Sequence, residues 1–211
     1  MAGTAMVAKA RRRRGRVARA FATPMGVAAV TLLAVVVLLA IVGPIIWGAQ
    51  AAQTDTSLIS AGPSAAHWAG TDAAGRDLFA RVLVATRLTV LMTLEATAVG
   101  VVAGLILGSA PVLVGRRLGQ AVTWFIGIAV AFPGLLLALF FAVIFGSGAH
   151  SGALALGCAS APAFARLCHT LIAGVLGRDY IAAAQTGGVS RRRILFRHVL
   201  PNIGEPLAVN A

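Results

Sequence analysis

Four long apolar stretches, separated by basic or polar segments, dominate the chain and limit what it can fold into. The first, residues 24–47, carries no charged side chain. At about 1.5 Å per helical residue it reaches roughly 35 Å, enough to cross a bilayer core of about 30 Å. The others are residues 88–110, 119–145 and 150–167, and a further one begins near Pro206. Because backbone polar groups in lipid must bond within the chain, we predict an all-α, polytopic bundle of four full spans plus a truncated fifth.

Charged residues are scarce in this chain. They make up 11% of it and hydrophobic residues 59%, whereas a soluble domain carries about 25% charged residues. The net charge of +12 is compatible with a nucleic-acid binder, but the basic residues lie between apolar stretches and aromatic residues are few. We therefore predict a membrane protein that contacts lipid and binds no nucleic acid.

Lysine and arginine predict the orientation. Only Arg76, Arg81 and Arg87 lie on one side of the predicted spans, and fifteen basic residues lie on the other. Positive charge concentrates on the cytoplasmic side, so we predict a multi-pass membrane protein with a cytoplasmic N-terminus. The fifteen are Lys9, Arg11, Arg12, Arg13, Arg14, Arg16, Arg19, Arg116, Arg117, Arg166, Arg178, Arg191, Arg192, Arg193 and Arg197.

This orientation divides the chain into four parts. Residues 1–23 are predicted to be the cytoplasmic N-terminus, 24–47 the first transmembrane helix, and 48–87 an external loop with an interfacial helix. Residues 88–211 form the core, with a cytoplasmic segment at about 174–202. A signal peptide cleaved near Ala49 is the alternative for the first stretch. Its apolar run exceeds the usual length of about 7–15 residues, so a retained anchor is predicted.

The external segment is predicted to end in an amphipathic helix, because apolar residues recur there at helical spacing. Asp72 is a candidate helix cap, with Gly75 loosening the turn after it. Asp72 and Asp77 are five residues apart and do not share a helix face, and no His or Cys is expected to join them. We predict caps and surface ion pairs with Arg76 and Arg81, and no metal site. The helical spacing is that of Leu78, Phe79, Val82 and Leu83.

Two features inside the apolar stretches are candidates for a substrate pathway. Glu95 is the only acid within a span, and its burial in lipid costs about 2.5–3.5 kcal/mol if it resembles Asp. It should face protein or water, as part of a substrate route, paired with another subunit, or reaching toward the outer surface. Pro133, after Phe132, is predicted to kink the third span, either to line a cavity or for structural reasons alone.

Residues 179–202 predict two short helices that meet at a corner. Asp179 to Thr186 is rich in alanine, which favours helix. Gly188 permits a left-handed turn, Ser190 is a candidate cap, and a second helix is expected to end at Pro201. Small alanine side chains let the first helix lie close to another protein. Arginines on the second supply charge for headgroups or for acidic partner residues.

Five short strings occur in order along the chain: His67 to Asp77, Ala85 to Val90, Ala131 to Leu139, Phe164 to Arg166, and Arg178 to Asn202. In this order they resemble the second permease subunit of dipeptide, oligopeptide and nickel ABC importers, which implies a protein of the bacterial plasma membrane. The first string is similar to that family's H-x-x-G-T-D-x-x-G-R-D signature, and the last to its "EAA" loop, although Ala182 stands where the family usually has Glu.

The resemblance implies a permease subunit of an ATP-driven importer for peptides or a related solute such as a nickel chelate. It implies four kinds of partner, namely a second permease subunit, two ABC ATPase subunits, an extracytoplasmic solute-binding protein and membrane lipid. The chain has no G-x-x-x-x-G-K-[ST] loop, so ATP-Mg is expected on the partners, and no cofactor and no catalytic residue here. The expected ATPase-coupling residues are Tyr180, Ala182, Ala183, Ala184, Gly188, Arg191, His198, Pro201 and Asn202; the expected pathway residues are Glu95, Phe132 and Pro133.

The alternative is a truncated or degenerate membrane protein without transport activity, acting as a regulatory or assembly partner. The absence of Glu at position 182 favours it, as does the absence of the two further helices that the family has beyond residue 211. The ordered strings favour the importer.

Overall fold

A computed structural model describes residues 23–210, and most of these residues are helical. The basic N-terminus, including Lys9 and Arg11 to Arg19, lies outside the described residues. The chain forms two compact units that divide between Val90 and Leu91. The helices are α1 (Pro24–Ala52), α2 (Leu78–Leu113), α3 (Arg116–Ala131), α4 (Gly134–Phe145), α5 (Ala149–Leu176), α6 (Asp179–Thr186), α7 (Arg191–Ile194) and α8 (Leu200–Asn210), with a 3₁₀ turn at Thr56–Leu58 and a π-turn at Leu195–Val199.

Three of the described helices, α1, α2 and α5, are each long and apolar enough to cross a membrane. The pair α3 and α4 qualifies only jointly and is bent by 99° at its junction. The all-α polytopic prediction is confirmed, but the predicted four full spans become three, or four if the bent pair is one crossing. The described α8 has 11 residues, about 17 Å, which is shorter than a bilayer core.

The first unit consists of α1, the cap segment (residues 53–77) and the first turns of α2. Thr23 caps α1 by accepting a 3.1 Å hydrogen bond from the Gly26 N–H, and Pro24 takes the first helical position, where its missing N–H costs nothing. The helix continues to Ala52, five residues beyond the predicted end of the first span.

The cap segment folds into hydrogen-bonded turns. The Thr71 hydroxyl accepts a 2.9 Å hydrogen bond from the Ala61 N–H and donates one to the Leu58 carbonyl. Gly75 has a φ of +70°, which side-chain-bearing residues rarely adopt, and a Cβ there would overlap the Asp55 carbonyl. The fold of this segment therefore requires glycine at position 75.

The second unit is built on close contact between α2 and α5. A Cβ atom at Gly104 would lie 2.9 Å from the Ala165 nitrogen, and one at Gly108 would lie 2.7 Å from the Cys168 Cβ. A Cβ atom at Gly157 of α5 would lie 2.7 Å from the Val99 Cβ of α2. Helix pairs in membranes associate through such small residues because these let the backbones approach.

The third apolar stretch is two helices, not the single kinked helix that was expected. Phe132 has φ −70° and ψ +136°, an extended conformation that ends α3, and Pro133 stands at the N-cap position just before α4. A residue before proline is pushed away from helical geometry by the proline ring. Pro133 therefore breaks this stretch, with the 99° bend.

We expected the helix after the corner to end at Pro201 and a further helix to begin near Pro206. The structure shows neither boundary. Instead α7 passes through the π-turn into α8, which contains both prolines. Pro201 lies in the first turn of α8, where a missing N–H is tolerated. The π-turn interrupts the regular hydrogen-bond ladder just before it.

We predict that Gly104→Leu weakens the second unit, since the added side chain has no room against α5. Overpacking of this kind costs about 1–3 kcal/mol. The measurement is the fraction of protein that remains folded after heating in detergent. The matched control is Gly127→Leu, because nothing lies within 4 Å of a Cβ at Gly127. Equal thermal stability of the two variants would contradict the close-packing account.

Candidate functional sites

The corner segment (residues 179–202) is held by a cluster of buried apolar side chains. Ile181 from α6 and Ile194 from α7 are almost fully buried. They pack with Ile172 and Val175 from the end of α5. The other buried members are Leu195, Val199 and Ile203. The corner is thus fixed to the end of a long membrane-capable helix.

The turn between α6 and α7 is a Schellman motif. The Val189 N–H donates to the Ala184 carbonyl and the Gly188 N–H donates to the Gln185 carbonyl, each at 3.0 Å. Gly188 has a φ of +77°, the left-handed conformation that this motif requires after the helix end. The predicted break at Gly188 therefore has a defined geometry. Ser190 stands at the predicted cap position, but its side chain makes no capping hydrogen bond.

Most of the expected coupling residues lie on the exposed side of this segment. Tyr180 is 47% exposed. The arginines of α7 are exposed too, while His198 is half-buried. His198 lies within the π-turn, and Pro201 and Asn202 follow it in α8. The Asn202 amide donates a 2.6 Å hydrogen bond to the His198 carbonyl. The other exposed members are Ala182, Ala183, Gly188, Arg191, Pro201 and Asn202; Ala184 is half-buried.

Glu95 is paired within its own chain. Its Oε1 lies 2.5 Å from the Nδ1 of His150, at the start of α5. The side chains of His150 and Glu95 are 75% and 30% exposed, so this pair is open on the histidine side. The sequence predicted that Glu95 lies on a substrate route, pairs with another subunit or reaches toward the outer surface. It did not predict His150 as the partner, since 55 residues separate the two.

The break at Pro133 lies beside an apolar groove of about 360 Å³. Phe132 lines this groove with Ile128 and Phe140, whereas Pro133 does not. The groove presents no charged group among its lining residues. Phe132, in an apolar groove, and Glu95, in an ion pair with His150, are therefore features of different chemistry.

Of the three aspartates in the cap segment, Asp72 and Asp77 only partly match the roles predicted for them. Asp77, not Asp72, caps α2, because its Oδ1 accepts a 2.8 Å hydrogen bond from the Ala80 N–H. Asp72 holds a turn by accepting hydrogen bonds from the Ala74 and Arg76 N–H groups, at 2.8 and 3.0 Å. Its predicted ion pairs with Arg76 and Arg81 are confirmed. The hydrogen bond from the Arg76 N–H is the main reason that the pKa of Asp72 lies below its ordinary value.

Asp77 is also bonded to a histidine, contrary to the expectation that none would join it. Its Oδ2 accepts hydrogen bonds from His67 Nδ1 at 2.8 Å and Gln50 Nε2 at 3.1 Å. Burial alone raises the pKa of Asp77, but the hydrogen bonds from Ala80, His67 and Gln50 together bring it below its ordinary value. The position of His67 and Asp77 at the two ends of one motif was the only sequence feature that pointed to their contact. Nothing in the sequence indicated that Gln50 would bond to Asp77. No group of three metal-ligating side chains occurs in residues 23–210.

Comparison with known proteins places these features in a family. Residues 100–211, which include the whole corner segment, match the binding-protein-dependent transport system inner membrane component family. The chain belongs to this family. The long apolar helices α1, α2 and α5 fit the inner-membrane location that the family description gives.

The relatives include three named peptide or glutathione permeases. A dipeptide transport system permease protein of Alkalihalophilus pseudofirmus is 33% identical over 175 residues, which are 83% of this chain and 58% of the relative. A glutathione transport system permease protein of Pectobacterium atrosepticum is 39% identical over 70% of this chain and 49% of its own length.

An oligopeptide transport system permease protein of Haemophilus influenzae is 28% identical over 92% of this chain and 63% of its own length. The chain thus spans about half to three fifths of the length of these relatives. The resemblance to peptide-type permeases that the sequence motifs indicated is confirmed.

We predict that Gly188→Ala loosens the corner, because a left-handed residue with a Cβ costs about 1–2 kcal/mol. The matched control is Gly187→Ala, one residue away, where φ is −73°. Trypsin cleavage at the exposed Arg191, Arg192 and Arg193 should be faster in Gly188→Ala than in Gly187→Ala. Equal cleavage rates in the two variants would argue against the Schellman turn as the element that fixes this segment.

Proposed function

We propose that this chain acts in a permease subunit of an ATP-driven importer that carries peptides or a related small solute. The corner segment is the part that contacts an ATPase subunit. In this proposal the N-terminus and the corner are cytoplasmic, and the cap segment is extracytoplasmic. ATP-Mg is bound and hydrolysed on two separate ATPase subunits, and a second permease subunit and a solute-binding protein complete the assembly.

The observation that carries the proposal is the buried apolar packing of the corner segment against α5 on its inner side, together with its exposure on the outer side. Ile181 and Ile194 anchor both arms to α5, while Ala182, Ala183 and Gly188 are exposed. A projection of this kind follows a partner that grips it, and it transmits the displacement to α5 because the apolar cluster joins the two. Such rigid-body transfer is one of the general ways in which a motion in one subunit moves another.

Charge on the corner favours an acidic partner surface. Asp179 is the only acid in residues 179–202, against four arginines. Three of these, Arg191 to Arg193, follow the Gly188 turn directly and are exposed. Complementary charge guides association and fixes the register of two surfaces. A partner groove lined by carboxylates would therefore receive the α7 arm, and the alanine-bearing face of α6 would lie against its wall.

The Glu95–His150 pair is proposed to lie on the substrate route, in the outer half of the membrane. Glu95 is seven residues, about 10 Å, beyond the predicted start of the second span at Leu88. A carboxylate at such depth is costly unless it has a function or a partner. His150 provides a partner that is itself largely exposed, so a cationic group of a solute can take its place on Glu95. Phe132 and Pro133 are proposed to shape an apolar wall of the same route.

The first test is whether the corner is cytoplasmic and touches an ATPase. In a complete complex whose Cys158 and Cys168 are replaced by alanine, Ser190→Cys should resist an impermeant thiol reagent added outside intact cells. It should react after permeabilisation and crosslink to the co-expressed ATPase subunit. Gly62→Cys, in the cap segment, is the matched control and should react without permeabilisation. Labelling of Ser190→Cys from outside, or no ATPase crosslink, would overturn the proposal and favour a membrane protein without transport activity.

The second test concerns Glu95. In the assembled complex Glu95→Gln should lower uptake of a cationic or zwitterionic peptide by about tenfold or more, because a hydrogen bond to a charged group contributes roughly 1.5–3 kcal/mol. The same change at Glu205, on α8, is the control and should leave uptake within about twofold. Unchanged uptake in Glu95→Gln would remove this residue from the route without affecting the role of the corner.

A further inference from the structure

The first unit contains a small cavity that the proposed transport cycle does not use. It has a volume of about 250 Å³. Trp47 and Gln50 from the end of α1 line it, as do Trp68 from the cap segment and Asp77 and Phe79 from the start of α2. Three separate parts of the chain therefore contribute to one concave site.

Aromatic rings form most of its apolar wall. The ring centroids of Trp68 and Phe79 are 5.2 Å apart, and those of Trp47 and Phe79 are 6.4 Å apart at 89°. Trp68 is 71% exposed, although it is the largest side chain of the cap segment. Aromatic faces carry negative potential, and a cation within about 6 Å of the ring centroid is attracted to it. The wall is therefore suited to an organic cation.

The polar side of the cavity is a buried carboxylate. The Asp77 side chain is 4% exposed and accepts three hydrogen bonds, from the Ala80 N–H, His67 Nδ1 and Gln50 Nε2. An ionised carboxylate offers about four acceptor positions, so about one remains for a further donor. The arginines closest in sequence, Arg76 and Arg81, bond to Asp72 instead.

We propose that this cavity binds a primary ammonium group, in the form of the amino terminus of a peptide. The ammonium would donate a hydrogen bond to Asp77 and lie against the rings of Trp68 and Phe79. The volume suits the end of a molecule and not a whole one, since pockets for drug-sized ligands are about 300–1,000 Å³. The site is a first contact for solute at the mouth of the permease; this last role rests on the proposed function, because it needs the cap segment to be extracytoplasmic.

Two structural roles compete with this proposal. Tryptophans near the end of a span anchor it at the membrane interface, and Asp77 already caps α2. Neither role requires the three aromatic residues to enclose a space with the carboxylate. Neither role predicts that the site distinguishes an ammonium from a neutral group of the same shape. That distinction is the basis of the test.

The experiment measures binding to the purified full chain in lipid nanodiscs. Trp124→Phe serves as the background, because Trp47 and Trp68 are then the only tryptophans and their fluorescence reports on the cavity. The probes are n-butylammonium, glycylglycine amide and n-butanol, the neutral isostere of n-butylammonium. The expected result is a saturable fluorescence change with both amines and not with the alcohol. An equal response to the alcohol would overturn the proposal.

Variants test the two walls of the cavity separately. Trp68→Ala should weaken amine binding at least tenfold, read from Trp47, and Trp68→Phe should restore most of it. Trp68 is exposed, so its removal leaves the fold intact, which circular dichroism verifies. Asp77→Asn should abolish the preference for amine over alcohol, with Asp55→Asn, elsewhere in the cap segment, as the matched control. Unchanged amine affinity in Trp68→Ala would overturn the proposal even if Asp77→Asn fails to fold.

The outcome separates this proposal from the proposed function. Amine binding is measured without ATPase, binding protein or second permease, so failure of the importer assignment leaves the titration unchanged. Conversely, a complex that imports peptide but shows no amine preference at this cavity would reject the site alone.

Discussion

Backbone contact between α2 and α5 is the constraint on which the second unit depends. Gly104 and Gly108 on one helix face Ala165 and Cys168 on the other at distances that leave no space for a Cβ atom. A bilayer supplies no hydrophobic force between helices, so van der Waals contact of this kind must hold them. Because α5 also carries Ile172 and Val175, its position sets that of the corner segment. The close contact between α2 and α5 thus also determines the position of the corner segment, the surface that is proposed to bind an ATPase subunit.

The H-x-x-G-T-D-x-x-G-R-D motif has a physical explanation in the first unit. His67 and Asp77 are its two ends, and they bond directly. Between them, Thr71 bonds to the loop that precedes the motif, Asp72 organises the turn, and Gly75 allows the chain to pass Asp55. The motif therefore closes on itself and ties the end of α1 to the start of α2 through Gln50. The residues of the motif hold the cap segment together, and the cavity beside Asp77 forms because they do so.

The sequence predicted features that depend on local pattern and missed those that depend on distant contacts. Apolar length identified α1, α2 and α5, and the Gly188 corner followed from a glycine after an alanine-rich helix. The severity of the break at Pro133 was underestimated, because proline favours an extended predecessor but does not by itself set the angle. The continuation of the helix through Pro201 was missed, because a π-turn leaves no clear pattern in one sequence. The Glu95–His150 and His67–Asp77 pairs could be identified only from the folded structure, because their members are not neighbours in the sequence.

The π-turn has a consequence for how the end of this chain tolerates change. Such a turn contains one more residue than a regular helix of the same rise, and it shifts the angular position of everything after it by about 100°. The shift brings Ile203 and Leu207 to the buried side of α8. Removing a single residue between Leu195 and Val199 would give a more regular helix, yet it would swing those two side chains out of the interior. Evolution of this region is therefore expected to conserve spacing more strictly than residue identity, and gaps in aligned sequences should avoid it.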